Sequence, residues 1–391
     1  MFIEALKAQN PALIQAAREL WQQGAILPDT WVIDVDQVME NGRQLLAVAE
    51  RYGITLYLMT KQLGRNPWLA NKLIALGFHG AVAVDFKEAR TLRSAGIAVS
   101  HVGHLVQIPQ SQIDENVTAS PDIITVFSLE KISAISAAAR RNHYVQPIML
   151  KVFAEHDILY PGQEAGFSLH ELDRVVEIIK TLPGVQLVGL THFPCLLWDD
   201  ETRQTVPTPN LQTLIQARDR LAEQGIRIAQ INAPSASSCS TLPLLAEYSV
   251  THAEPGHALT GTIPANQHGD QPEKIAMLYL TEISHSFRGN SYCFGGGYYR
   301  RGHVQNALVY PGNENSRVAA RLLPVDDSSI DYHLPLAGEF PVGSPVVMCY
   351  RTQIFVTRSD VALVSGIHHG KPVLEALYDS LGNPVSGGLH E

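Results

Sequence analysis

A lysine stands where an apolar run of the chain stops. In TLYLMTKQLGRNPWLA (55–70), Leu56, Tyr57, Leu58 and Met59 have strand character, and Thr60-Lys61 ends the run. Gly64, Asn66 and Pro67 then break the chain before a helical pattern that starts near Trp68. A lysine at such a junction is partly desolvated, which favours its neutral, nucleophilic amine. That amine can form a Schiff base with a carbonyl. A solvated lysine at a strand end satisfies the same local pattern, so the rest of the chain has to decide.

Other residues with chemical capacity also sit at the ends of apolar runs. His192 closes VQLVGLTHF (185–193), where a satisfied core histidine is the plain alternative. Ser235, with Ser237 and Ser238, lies in INAPSASS (231–238), where hydroxyls and free amides suit a phosphate or cap a helix. Glu254, Gly256 and His257 follow within HAEPGHALTG (252–261), and Gly256 allows the backbone to approach an anion closely. Arg65 lies four residues after Lys61, and its guanidinium could grip a phosphate or carboxylate bidentately. Cys349 sits between apolar residues in VVMCYRTQ (346–353), a setting that more often makes a thiol buried and inert.

The elements that must position these residues alternate. Residues 1 to about 27 read as helical, with Leu6, Leu13, Ile14, Ala17 and Leu20 on one face. Short apolar strands are expected at 30–35, 56–59, 80–84, 99–106, 123–128, 147–153, 185–193 and 228–235. Amphipathic helices, several ending in glycine, fall between most of them. This is the pattern of parallel βα units, and about eight of them fit a closed (β/α)8 barrel. After about residue 265 the texture changes to short β-rich runs between Gly, Pro, Asn and Asp turns, which reads as a separate β domain. The expected organisation is a helical segment 1–28, an α/β barrel 29–264 and a C-terminal β domain 265–391.

Composition narrows the partners. The chain has 391 residues, 45% hydrophobic and 17% charged, so it can bury a sizeable core. A net charge of -9 without any Lys/Arg cluster argues against nucleic acid and anionic membranes. The sixteen histidines are scattered, and no HExxH or CxxC spacing is present. The four cysteines lie far apart and read as reduced thiols, and the N-terminus lacks the apolar core of a signal peptide. A cytoplasmic protein is expected.

Taken together, the motifs resemble those of the fold-type III enzymes that use pyridoxal 5'-phosphate (PLP). This group includes alanine racemases, D-threonine aldolases, D-serine dehydratases and eukaryotic-type ornithine decarboxylases. DTWVIDVDQVMENGRQLL followed by GITLYLMTK looks like their opening, and GFHGAVAVDFKEARTLRSAG like their next unit, where a Glu-Ala pair opens a helix. VQLVGLTHF, INAPSASS and HAEPGHALTG are similar to later family segments, and the likeness spans roughly residues 29 to 390.

The resemblance implies that Lys61 forms the Schiff base with PLP at the end of the second barrel strand and then acts as a base at Cα. It implies that Glu254 pairs with the pyridine nitrogen, where alanine racemases carry an arginine. A carboxylate there stabilises a protonated ring, which is the stronger electron sink. Ser235, Gly256 and His257 fall where the family holds the phosphate. Arg65 is expected at phosphate or substrate carboxylate, and His192 near the ring. The racemase tyrosine that serves as the second base is replaced by Phe294-Gly295. Tyr292, Tyr298 and Tyr299 are close enough in sequence to stand in, and Tyr298 is the choice taken forward. Cys349 falls near the cysteine with which decarboxylases protonate Cα. The His-x-Cys metal spacing of D-threonine aldolases is absent, so no metal is expected.

The expected function is an amino acid racemase or epimerase, an isomerase working as a homodimer with shared active sites. A decarboxylase is the same-fold alternative. An aldolase or dehydratase, or a PLP-binding protein without turnover, are further ones.

Overall fold

A computed structural model describes residues 2–312 and 316–385. The chain divides into two compact units, Gln44–Thr60 with Leu73–Pro255, and Met1–Arg43 with Lys61–Lys72 and Gly256–Glu391.

The first unit is the barrel. Its parallel strands run in the order Thr55–Leu56, His252–Ala253, Gln230–Asn232, Val185–Thr191, Gln146–Phe153, Ile123–Val126, Val99–Val102, Ala81–Val82 and Leu58–Met59. The first and last pieces are one strand interrupted at Tyr57, so the sheet returns to the chain segment it started from. The strands are buried on both faces, as expected for a sheet lined inside by side chains and covered outside by helices. Helices such as Phe86–Ser94, Leu129–Arg141 and Pro209–Glu223 alternate with them. Asp85 and Ser128 cap two of these helices, accepting from the Glu88 and Lys131 amides at 2.7 and 3.2 Å.

The second unit is built on a mixed sheet ordered Val318–Arg321, Asn306–Val309, Pro345–Met348, Met277–Phe287, Thr30–Asp34, Asp360–Ser365 and Val373–Tyr378. The N-terminal segment forms two helices, Ile3–Gln9 and Pro11–Gln22, rather than one continuous pattern. Pro11 cannot continue a helix, and Asn10 caps the second by accepting from the Leu13 amide. Phe2, Leu6, Leu13, Ile14, Ala17 and Leu20 pack on Leu278, Leu280, Val347, Ala362 and Val364. Fully burying each such side chain contributes about 1.5–3 kcal/mol.

Strand Thr30–Asp34, grouped with the barrel on sequence, belongs to this second sheet. It pairs antiparallel with Met277–Phe287 and parallel with Asp360–Ser365. All five of its residues are buried. A strand covered on both faces reads the same in either sheet, so its pattern could not tell them apart. Lys61 therefore follows the first barrel strand, not the second.

Candidate active site

Within the barrel unit, Glu254 lies at the end of the strand His252–Ala253 and is fully enclosed. Its Oε1 accepts from Asn232 Nδ2 at 2.8 Å and from His101 Nδ1 at 3.0 Å. An ionised carboxylate can only accept, so His101 Nδ1 donates this bond, and its Nε2 lies 2.6 Å from the Thr125 hydroxyl. Glu254 Oε2 is buried with no hydrogen bond, and His104 Nε2 is 3.5 Å from it. Burial alone would raise the Glu254 pKa. The His104 charge, the His101 bond and charge, and the Asn232 amide outweigh it and bring the pKa down to about 2. The result is a buried carboxylate held ionised, with one oxygen that makes no hydrogen bond and lies 3.5 Å from His104 Nε2. His101, His104 and Glu254 also have donor atoms within 4.8 Å of one another, a metal-type spacing that the sequence did not reveal.

His192 is braced at both ring nitrogens. The Phe193 amide donates to Nδ1 at 2.9 Å, so that nitrogen carries no proton. Nε2 donates to Asp157 Oδ2 at 2.7 Å. Asp157 is itself fixed by the Ala154 amide and the Thr213 hydroxyl. Burial lowers the His192 pKa despite Asp157, in agreement with a neutral ring. Both edges of the imidazole are committed, and its faces carry no hydrogen-bonding role. Asp157 was not foreseen as its partner, because the two come from different strand ends 35 residues apart.

Ser235 departs from expectation. Its hydroxyl accepts from the Leu196 amide and donates to the Leu196 carbonyl, each at 2.9 Å, and its φ is 104°. The side chain braces its loop and presents no spare proton to a phosphate. Ser237 accepts from the Glu254 amide at 3.3 Å. Glu88, the acid of the Glu-Ala pair, is buried and holds the strand end before the lysine. It accepts from the Thr60 hydroxyl and the Val84 amide, both at 2.5 Å.

Lys61, Arg65, Gly256 and His257 belong to the second unit. Lys61 opens a one-turn helix, Lys61–Leu63, that packs against another, Ile354–Val356. Arg65 is buried, with its guanidinium 4.8 Å from the Phe355 ring centroid. Gly256 has no room for a side chain, since a Cβ would lie 2.3 Å from Gln62 Oε1. His257 Nε2 is buried without a hydrogen-bond partner. Burial, then the charges of Arg351 and Lys61, push the His257 pKa well below its usual range. Arg351, passed over on sequence, thus joins Lys61 beside His257. Nearby cations, a buried unsatisfied ring nitrogen and a glycine cradle suit a phosphate.

Cys349 was a candidate proton donor, and the structure places it elsewhere. Its thiol is buried among Phe2, Leu6, Leu280 and Val347, bonded to the Met277 carbonyl at 3.4 Å, and burial pushes its pKa up to about 12. A thiol in that state neither ionises nor meets solvent. Tyr298 is half-buried in the loop after strand Asn290–Phe294. The stem of that loop is held by the Tyr350 hydroxyl, which donates to the Gly297 carbonyl at 2.7 Å. At Gly296 a Cβ would meet Asp29 Oδ2 at 1.9 Å, so only glycine fits there.

The buried bases set a pH response. Burial, with the His79 and His101 charges, lowers His252 from 6.5 to about 4. A base whose folded pKa is depressed stabilises the fold above its unfolded value and loses that contribution as pH falls through the folded one. The melting temperature is therefore expected to fall from pH 6.5 towards pH 4. Glu254, lowered from 4.5 to about 2, extends the loss below that range. Thermal melts across this range check the slope, which His252→Gln should flatten. A midpoint that does not move would contradict the assignment.

No helix among the described residues is long and apolar enough to cross a membrane. Residues 33–264 match the family model described as the alanine racemase N-terminal domain, and residues 278–374 that of the YhfX-like C-terminal domain. The chain is 65% identical over 385 residues to the protein YhfX of Escherichia coli (strain K12), covering 98% of this chain and all of that one. Similar solved structures include D-threonine aldolase from Filomicrobium marinum, with a TM-score of 0.67 at 14% identity over 90% of this chain and 95% of that one. Alanine racemase from Clostridium difficile 630 with cycloserine has a TM-score of 0.64 at 14% identity over 91% and 99%. D-threo-3-hydroxyaspartate dehydratase from Delftia sp. HT23 has a TM-score of 0.63 at 15% identity over 88% and 96%. On the match to residues 33–264, the chain belongs to the alanine racemase N-terminal domain family, within the fold-type III group, and carries a YhfX-like C-terminal domain.

Proposed function

We propose that the protein is a PLP-dependent enzyme that moves a proton at the Cα of an amino acid, and that it is a racemase or epimerase working as a homodimer. The observation that carries this reading is Glu254, a buried carboxylate held ionised with Oε2 making no hydrogen bond. PLP, when bound through an amine, draws electrons from Cα and acidifies its hydrogen. Glu254 Oε2 would accept a hydrogen bond from the protonated ring nitrogen, and His101 and Asn232 keep the carboxylate aimed. His192, locked neutral by Asp157 and the Phe193 amide, supplies a flat apolar surface. Lys61 would hold the cofactor and take the proton from one side of Cα. Arg65, Gly256, His257 and Arg351 would hold the phosphate. Tyr298 is the candidate donor for the opposite side.

Decarboxylation loses its candidate proton donor, because the Cys349 thiol is sealed in the core. The test is incubation with L- and D-amino acids in deuterium oxide. Exchange at Cα with inversion is expected, and Cys349→Ala should leave its rate unchanged. Release of carbon dioxide, slowed in that variant, would replace racemase by decarboxylase.

A further inference from the structure

The loop that leads to Tyr298 begins with three consecutive glycines pressed onto other groups. A Cβ at Gly295 would lie 2.1 Å from the Asp331 carbonyl oxygen, at Gly296 1.9 Å from Asp29 Oδ2, and at Gly297 2.3 Å from Tyr279 Cε2. Glycine has the most backbone freedom to lose, so such a strap keeps one position only where its surroundings hold it. Each of the three is held. The Gly295 amide donates to the Tyr332 carbonyl at 2.8 Å, and the Gly296 carbonyl accepts from the Arg358 amide at 3.1 Å. The Gly297 carbonyl accepts from the Tyr350 hydroxyl, and its amide donates to the Tyr279 hydroxyl oxygen at 3.3 Å. Trp31 packs against both tyrosines, its ring centroid 5.1 Å from that of Tyr279 and 4.9 Å from that of Tyr350. Asp29 orients the Tyr279 hydroxyl. Its Oδ1 accepts from that hydroxyl at 2.7 Å and from the Ser359 hydroxyl at 2.5 Å. Burial pushes the Asp29 pKa up to about 6, against both hydroxyls and the Arg358 charge and with the Asp360 charge. At neutral pH it is therefore ionised and can only accept. The Tyr279 proton points at Asp29, which leaves the hydroxyl oxygen free to accept from Gly297.

We propose that Asp29 is a positioning residue for the reaction: acting through Tyr279, it pins the glycine strap that carries Tyr298. Its part in the chemistry rests on the proposed function, in which Tyr298 serves one side of Cα. Asp29 precedes strand Thr30–Asp34, and Tyr279 lies 250 residues away on the strand paired with it, so the sheet register brings anchor and relay together. The Asp29 backbone is itself fixed. Its φ is 67°, a left-handed conformation uncommon outside glycine, and its carbonyl accepts from the Asp360 amide at 3.1 Å. Hydrogen bonds to an ionised acceptor are roughly twice as strong as neutral ones, which suits an anchor for a flexible strap. A reacting group displaced by about 1 Å can lose on the order of 10²-fold in rate, so a loosened strap has a measurable cost.

The test compares Asp29→Asn, Asp29→Gly and Tyr279→Phe in the PLP-loaded full chain at neutral pH. Asparagine keeps an acceptor at Oδ1 and tolerates the left-handed backbone, glycine keeps the backbone alone, and phenylalanine keeps the ring without the hydroxyl. Exchange of the Cα hydrogen is followed separately from L- and D-amino acids. Tyr279→Phe and Asp29→Gly are expected to lower exchange from one enantiomer roughly 10- to 100-fold and to leave the other at the parental rate, with Tyr298→Phe losing the same side. Asp29→Asn should stay near the parent. A residue that only stabilised the fold would not act on one side alone. Trypsin reads the strap directly and needs no cofactor, because Arg300 and Arg301 are exposed just beyond it. Cleavage there should be faster in Tyr279→Phe and Asp29→Gly. Equal losses from both enantiomers, or parental exchange in both of those variants, would overturn the positioning role. A parent protein without any Cα exchange would sink the proposed function instead. Trypsin then decides for the pin: faster cleavage supports it, and unchanged cleavage overturns it.

Discussion

Lys61→Ala is expected to abolish covalent retention of PLP and to cut proton exchange at Cα by at least about 10³-fold, within the range that a positioned acid or base contributes. One side chain is assigned both duties, so the variant loses the tether and the base together. The fold should survive. Lys61 is half-buried at the start of a single-turn helix, and the strand end before it is held by Thr60 and Glu88, not by the lysine. Circular dichroism and melting should match the parent. Added methylamine should restore part of the exchange, since it supplies an amine of the right kind. A variant that exchanged Cα hydrogen at the parental rate would remove Lys61 from the chemistry.

Glu254→Gln is expected to lower Cα exchange by about 10²–10³-fold while PLP is still retained, the usual cost of removing one preorganised electrostatic partner. The amide oxygen can keep the bonds from His101 and Asn232, so the side chain should remain in place. What it loses is the negative charge at Oε2. An amide nitrogen there donates, and cannot favour a proton on the ring nitrogen. The ring becomes the weaker electron sink that an arginine would give. Glu254→Asp keeps the charge but loses reach, and so should fall between. Parental exchange in Glu254→Gln would show that ring protonation is not what this carboxylate does.

The residues of the candidate site differ in how far the sequence pointed to them. His192 and Glu254 end strands of the barrel unit, and a barrel gathers strand ends on one rim. Glycine stops and short apolar runs marked most βα units correctly. Partners that close over long sequence distances were not legible. His101 reaches Glu254 across 153 residues, and Glu88 reaches Thr60 across 28. Strand Thr30–Asp34 was placed in the wrong sheet because burial on both faces erases the difference. Ser235 had the right residue type in the right loop, but its hydroxyl is spent on Leu196. Cys349 carried two readings, and the apolar helices packed over it decide for the inert one.

Every role proposed above depends on Lys61 carrying PLP. The most direct measurement is borohydride reduction of the PLP-loaded protein, followed by proteolysis and peptide mass analysis. A visible absorbance band that reduction removes is expected, with a PLP-sized adduct on the peptide containing Lys61 and on no other. No band after loading, or an adduct that persists in Lys61→Ala, would contradict it.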